Sequence, residues 1–574
     1  MRLTETFQEF VRSQGLIPKS VDAFRSYSWG RFQSDLLAGV TVGLVALPLA
    51  MAFAISSGVA PQAGVYCAVV AGFLISALGG SMTQIGGPTG AFVVVVASIV
   101  QKHGLDGLFM CTLLAGLILM LLGLTGLGIA VKFIPRPVVV GFTNGIAVLI
   151  ASTQVKDFLG LRIERVPSAF LERVQVLAAH LSTATWEASA VALATLAIIL
   201  AGRRFAPRLP GAIVAMVLCT AAALLLRLPI ETVQSRFGGI PSGLPTLHIP
   251  AFRPDLVLPL LSPAITVALL GAIESLLSAV VADRMSGDRH RPNMELFAQG
   301  VANTVSPLFG GLPATGAIAR TATSIRAGAQ TPMAGIIHSL TLLAILLFAA
   351  PLAGRVPLSV LAAILLVVAY NMGEWSEIPE ILKLSKADIT VWLITFTLTV
   401  LAELTVAVEA GMILAALLYI RKVTATTTVS RVTPHYIQEG VRHSLQMNPL
   451  PEGVAVFRIH GPFLFGSTDK LDAIYEEFDQ LPSVVVLRLR NMNAIDATGL
   501  HALEDLADRL RASGRELILC GMRDQPARLM EQAEFHRHIG EDNFCPTLEA
   551  AVSRAKRILS QQRKPSETPA SGAS

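Results

Sequence analysis

Charge is scarce in this chain. Of its 574 residues only 15% are charged, 53% are hydrophobic, and mean hydropathy is +0.60. Soluble domains carry about 25% charged residues, so an ordinary soluble protein is excluded as a description of the whole. Cysteine is scarce too: five residues, none in a Cys-x-x-Cys pair. Cys67, Cys111 and Cys219 fall in apolar segments, and Cys520 and Cys545 in the more polar C-terminal part. That spacing offers neither a disulfide framework nor a zinc site. No nucleophile–base set or metal-ligand cluster stands out, so the chain does not read as an enzyme and no cofactor is expected. The net charge of +5 is modest. Many Lys and Arg of the apolar part sit in short connections, where they report topology rather than nucleic-acid binding. Residues Met1 to Trp29 lack the apolar core of a signal peptide, so they are expected to remain as a cytoplasmic segment.

What the chain has is a series of long apolar runs. Segments that could span a bilayer fall at about 36–55, 63–80, 88–101, 108–131, 135–153, 188–202, 210–227, 257–282, 293–309, 316–325, 333–350, 357–371, 388–402 and 405–421. Fourteen segments divide as seven plus seven. Basic residues support a cytoplasmic N-terminus: Lys132 and Arg136, the Arg203–Arg208 cluster, Arg284 to Arg291, Lys383 and Lys386, and Arg421 with Lys422 all fall on one side. Lys102, Lys156, Arg162, Arg236, Arg253 and Arg355 fall on the other. The expected organisation is a segment 1–35, a membrane domain 36–423, a small soluble domain 440–560 and a disordered tail 565–574.

Two of the runs are broken in nearly the same way. One reads Gly86-Gly87-Pro88-Thr89-Gly90-Ala91, the other Gly310-Gly311-Leu312-Pro313-Ala314-Thr315-Gly316-Ala317. Paired Gly/Pro interruptions point to a transporter with two structural repeats and a site near the midplane. A broken helix exposes backbone N–H groups at membrane depth, which is tolerable only inside protein or beside a cavity. Those N–H groups carry the positive end of the helix dipole and suit an anion.

Two ionisable residues lie within the apolar pattern: Glu274, and Arg320 just after the second break. Each charge costs at least ~2.5–3.5 kcal/mol at the bilayer centre, and two such costs approach the ~5–15 kcal/mol net stability of a domain. Lipid exposure is therefore disfavoured for both; a buried structural pair, positions nearer the interface, or a substrate and proton site remain. In the last case Arg320 supplies a permanent charge and a forked donor for a carboxylate or sulfate, and Glu274 takes up a proton with the anion. Thr89 is a hydroxyl donor or a helix cap. Asn144 and Gln154 read as interhelical hydrogen-bond formers, Phe53 as core, and Glu403 and Glu409 as structural.

The C-terminal part alternates strands and helices. Strands are expected at 454–459, 484–489 and 516–520, with Ser467 capping one helix and Leu500, Leu503, Leu506 and Leu510 lining another, which makes a small α/β domain. Asp496-Ala497-Thr498-Gly499 joins a strand to a helix. Asp496 or Thr498 is an N-cap, or Thr498 is a phosphorylation site.

Together these runs resemble the SulP (sulfate permease) anion transporters, to which pendrin and prestin are related. The resemblance rests on Leu47-Pro48-Leu49-Ala50-Met51-Ala52-Phe53-Ala54, Val59-Ala60-Pro61-Gln62-Ala63-Gly64-Val65-Tyr66, Gly271-Ala272-Ile273-Glu274-Ser275-Leu276-Leu277 and Ala317-Ile318-Ala319-Arg320-Thr321-Ala322-Thr323. In the soluble part Asp496-Ala497-Thr498-Gly499 resembles a STAS domain. The resemblance implies an α-helical membrane protein of fourteen transmembrane segments in a 7+7 inverted repeat, followed by a cytoplasmic STAS domain. It implies a homodimer in the inner membrane that works by an elevator-like motion. The anion site would take Thr89 and Gly90 from the third helix, Ala317, Ala319 and Arg320 from the tenth, and Phe53 from the first. Glu274 matches the position linked to cation coupling, and Thr498 the residue phosphorylated in anti-sigma antagonists. Sodium-coupled bicarbonate members carry Asp at Glu274, a hydroxyl residue at Ile318 and no arginine at Arg320. The runs around Glu274 and Arg320 look most like the bacterial C4-dicarboxylate branch. The expected function is proton-coupled transport of sulfate or a C4-dicarboxylate. An uncoupled anion channel, a bicarbonate transporter and a membrane-anchored regulator acting through the STAS domain are the alternatives.

Overall fold

The structure is a computed structural model that describes residues 15–562 apart from 26, 127–134, 164–165, 168, 207–209, 242, 248–252, 403 and 433–449. The chain divides into two compact units between Ala415 and Ala416.

The first unit is helical. Its main helices are α1 (Trp29–Ser56), α2 (Pro61–Leu78), α3 (Ala91–Leu124), α4 (Arg136–Leu159), α5 (Trp186–Phe205), α6 (Gly211–Leu225), α7 (Val257–Ser286), α8 (Pro292–Val305), α9 (Ile318–Arg326), α10 (Met333–Phe348), α11 (Leu358–Met372) and α12 (Lys386–Leu401). A further helix, α13 (Leu404–Ala425), runs into the second unit. Proline opens α2 and α8 at the first helical turn, where its missing N–H costs nothing. Left-handed glycines close α4 at Gly160 and α7 at Gly287. Among the described residues seven helices are long and apolar enough to cross a membrane. Large side chains such as Leu37, Phe205, Leu258 and Phe348 point outward, as a lipid-facing surface requires. The expected segments at 88–101 and 108–131 lie on either side of Gly104, whose φ of 71° breaks α3 into two helical stretches.

The two glycine-rich breaks meet. Strands β1 (Gly86–Gly87) and β2 (Thr315–Gly316) pair antiparallel, Gly86 opposite Gly316 and Gly87 opposite Thr315. Helices α3 and α9 start a few residues beyond each strand. The glycines are required here. A Cβ on Gly86 would sit 2.3 Å from Ile75 Cδ1, and Gly87 adopts φ 145° with Arg320 Nη1 2.7 Å from any added Cβ. Helix α8 holds the approach to both strands. Glu295 accepts from Gly80 N at 2.9 Å before β1, and Asn303 exchanges two 2.8 Å bonds with the Ala314 backbone before β2.

The second unit is a five-stranded sheet, β3 (Thr428–Arg431), β4 (Val454–His460), β5 (Val484–Asn491), β6 (Glu516–Cys520) and β7 (Phe544–Cys545), in that spatial order. Only β3 is antiparallel to its neighbour. Helix α14 (Ala497–Ala512) packs Leu500, Leu503, Leu506 and Leu510 against one face, beside Val485 and Leu487. Helix α15 (Leu548–Gln562) covers the other, with Ala551 and Ala555 against Val484, Val486 and Ile518. The sheet is covered on both faces, so its parallel strands are nearly continuously apolar. One expectation fails: Ser467 does not cap a helix. It lies inside a 3-10 segment, Phe465–Leu471, where its hydroxyl accepts from Leu464 N at 2.9 Å and tightens that turn. Lys132, Glu403 and the tail 565–574 lie outside the described residues, as does the side chain of Glu409.

Candidate anion site

Helix α7 organises the site. Gly271, Ser275 and Ser278 recur at helical spacing along one of its faces and hold the crossing strands. Ser275 Oγ lies 2.7 Å from Thr315 Oγ1 and accepts from Gly316 N at 3.1 Å. Thr315 Oγ1 donates to Gly271 O at 3.0 Å. Ser278 Oγ is 3.1 Å from Thr321 Oγ1, which accepts from Ile85 N at 3.0 Å. With that face fixed, the residue before Ser275, Glu274, is turned toward the start of α3, where Thr89 Oγ1 donates to its Oε2 at 2.9 Å.

A cavity of about 270 Å³ opens beside these residues. One wall comes from α1 (Leu49, Phe53), the start of α3 (Thr89, Gly90), α7 (Leu270, Ile273, Glu274, Leu277) and residues 316–320. The other comes from α4 (Val138, Val139, Phe142, Thr143), the end of α11 with Glu374, and Thr395 of α12. Pockets for drug-sized ligands run to about 300–1,000 Å³, so this smaller space suits a small ion or diacid. Both half-helices point their N-termini at it. The caps are Gly90 and Ala317, which have no side chain with which to satisfy the first-turn N–H groups.

Phe53, Thr89, Gly90, Glu274, Ala317, Ala319 and Arg320, named from the sequence, thus line one cavity. Their placement adds detail. Phe53 is 4% exposed, so it is core and cavity wall together. Thr89 caps no helix here; its proton is committed to Glu274. Arg320 is only 3% exposed. Its Nη2 donates to the Pro88 carbonyl at the head of the other half-helix, while Nη1 is buried with no hydrogen-bond partner among the described residues. One arm of the guanidinium therefore ties the two breaks together. Asn144 and Gln154 do bridge helices: Asn144 donates to Gly373 O and accepts from Trp392 Nε1, and Gln154 donates to Ser56 Oγ.

Thr498 belongs to the second unit. Asp496 is the N-cap of α14, accepting from Gly499 N at 2.8 Å and from Phe465 N at 2.9 Å. Thr498 follows in the first turn with its side chain exposed. Sequence reasoning missed the second wall. Val138, Phe142 and Val368 look like any apolar helix positions, and Asn371 and Glu374 look like residues of a turn.

Comparisons with known proteins agree with this architecture. The sulfate permease family matches residues 32–395, and the STAS domain matches residues 447–551. A putative sulfate transporter, YvdB of Bacillus subtilis, is 40% identical over 91% of this chain and 97% of its own length. The bicarbonate transporter BicA of a Picosynechococcus species is 30% identical over 91% of this chain and 94% of its own. Among solved structures, SLC26A9 superposes with a TM-score of 0.84 at 17% identity, covering 97% of this chain and 96% of that one, a likeness of fold. The transmembrane domain of a cyanobacterial BicA gives 0.60 at 33% identity over 68% of this chain and 98% of its own. The chain belongs to the sulfate permease family of anion transporters and carries a C-terminal STAS domain.

Proposed function

We propose that the chain carries a small dianion, sulfate or a C4-dicarboxylate such as succinate or fumarate, across the inner membrane together with a proton. The observation that carries this reading is the convergence of two uncapped helix N-termini, Arg320 and Glu274 on one small cavity. The N-termini and Arg320 supply fixed positive potential for the anion. Glu274 supplies the coupling. Ionised, it repels an anion in the cavity and holds the Thr89 hydroxyl proton. Protonated, it no longer repels, and its own O–H donates to Thr89 Oγ1, so the Thr89 proton is released toward the anion. Two unit charges about 6 Å apart at an effective dielectric of about 20 interact by about 3 kcal/mol. Proton and monoanion binding therefore favour each other by roughly 100-fold, a dianion being coupled more strongly, and linkage makes the effect reciprocal.

In this reading the protein is a homodimer, with its N-terminus and STAS domain in the cytoplasm. Thr498 offers a hydroxyl at a helix N-terminus, where a phosphate is stabilised. Bicarbonate is the second substrate reading, favoured by the relatives of that name. Uptake of labelled sulfate, succinate, fumarate and bicarbonate into proteoliposomes tests the proposal. Accumulation of a dianion is expected. Accumulation of bicarbonate alone removes the dianion assignment, and uptake of none of the four removes the transport reading.

A further inference from the structure

The second wall of the cavity carries a carboxylate of its own. Glu374 follows the last turn of α11 and lines the same space as Glu274 and Arg320. Its backbone is left-handed, φ 42° and ψ 38°, a conformation that costs a residue with a Cβ roughly 1–2 kcal/mol. Glycine or asparagine would occupy it at lower cost. The turn imposes it from several directions. Gly373 O accepts from Asn144 of α4, which is itself held by Trp392 of α12. Trp375 Nε1 donates to Tyr370 O at 2.8 Å, and a Cβ on Gly373 would meet the Trp375 ring at 2.3 Å.

Strain of this kind persists where the side chain has work to do. Among the described residues Arg227 and Glu534 also carry a Cβ at positive φ, and neither lines the cavity. Among the described residues the Glu374 carboxylate takes no hydrogen bond. The neighbouring cation, Arg136, is paired to Glu377. An exposed carboxylate with no hydrogen-bond partner among the described residues, sharing its nearby cation Arg136 with Glu377, thus faces a space that otherwise attracts anions.

We propose that Glu374 is a charge-selecting and release residue: its carboxylate weakens anion binding in proportion to the anion's charge and so speeds departure from the cavity. The inference rests on reading the cavity as the anion's site. Repulsion scales with ligand charge, so the factor by which it weakens a dianion is the square of that for a monoanion. Binding that is too tight slows release, and release limits turnover in many such cycles. A mere turn residue would show neither behaviour.

The test is a concentration series of whichever of labelled sulfate, succinate and bicarbonate the wild type carries, in proteoliposomes at fixed pH. The variants are Glu374→Gln and Glu374→Asn, the second keeping a side chain that tolerates the left-handed turn. KM is expected to fall about tenfold for a dianion and about threefold for a monoanion, with a lower kcat in both cases. Folding is preserved, and the Asn variant melts no lower than wild type. Unchanged or raised KM in both folded variants overturns the proposal. Thr89→Val, run alongside, separates the two readings. If it weakens binding while the Glu374 variants do nothing, only the role of Glu374 fails. If all three leave KM unchanged, the cavity is not the anion site.

Discussion

Replacing Arg320 by alanine removes the one permanent cation of the cavity lining among the described residues and a strut between the two half-helices. The helix N-termini supply about half a charge each, so their sum is comparable with the guanidinium, and the substitution removes about half of the positive potential. A unit charge about 6 Å from a monoanion at an effective dielectric of about 20 is worth about 3 kcal/mol, or roughly 100-fold in Kd, with a larger loss for a dianion. The Pro88 carbonyl also loses its Nη2 donor, which costs about 1–3 kcal/mol of stability if nothing replaces it. Arg320→Lys keeps the charge but not the fork, so it should retain more affinity than alanine while losing the strut. Equilibrium binding of labelled sulfate and succinate to purified protein in nanodiscs, with a melting curve for each variant, separates the two effects. A folded Arg320→Ala protein that binds with wild-type Kd would refute the assignment of Arg320 to the site.

Three further outcomes follow from the geometry. Gly87→Ala places a Cβ 2.7 Å from Arg320 Nη1 at φ 145°, so it should displace the guanidinium and reproduce much of the affinity loss of Arg320→Ala; wild-type binding would show that the contact is relieved elsewhere. Asp496→Ala removes the acceptor for both Gly499 N and Phe465 N and should cost about 1–2 kcal/mol, visible as faster amide exchange in the first turn of α14; unchanged exchange would contradict the capping role. Burial pushes the Cys520 thiol up to about 12 from the usual 9.0, so it stays neutral at pH 8 and should resist maleimide until the domain unfolds. As pH rises past 9 the unfolded thiol ionises first, so this cysteine lowers stability on the alkaline side only; rapid labelling of the native protein at pH 8 would contradict its burial.

The two breaks at Gly86 and Gly310 were legible because glycine and proline interrupt a helix for local reasons, and local reasons are written in the sequence. That they pair with each other, Gly86 against Gly316, is a tertiary fact, although the matching composition of the breaks hinted at it. Glu274 and Arg320 stood out because charge is expensive in an apolar segment. The direction of Arg320 did not, since it depends on a carbonyl 232 residues away in sequence. The second wall was invisible for a similar reason. Val138, Phe142 and Val368 face the cavity only because α4 and α11 pack together, and their residue types are those of any buried helix. Glu374 was hidden in a turn whose left-handed backbone no residue type announced. In the soluble unit the strands and α14 followed from periodicity, whereas Ser467 was misplaced because a capping residue and a 3-10 turn residue look alike until the backbone is seen.

In the proposed cycle one carboxylate, Glu274, couples the anion to a proton. Uptake of the transported dianion into proteoliposomes, driven by an inward proton gradient with no anion gradient, compares wild type with Glu274→Gln most directly. Concentrative uptake is expected of wild type, while the Gln variant, uncharged at every pH and able to donate an amide N–H to Thr89 Oγ1, binds the anion and equilibrates it without responding to the gradient. Gradient-driven accumulation by a folded Glu274→Gln protein, or no response to the gradient by wild type, would contradict it.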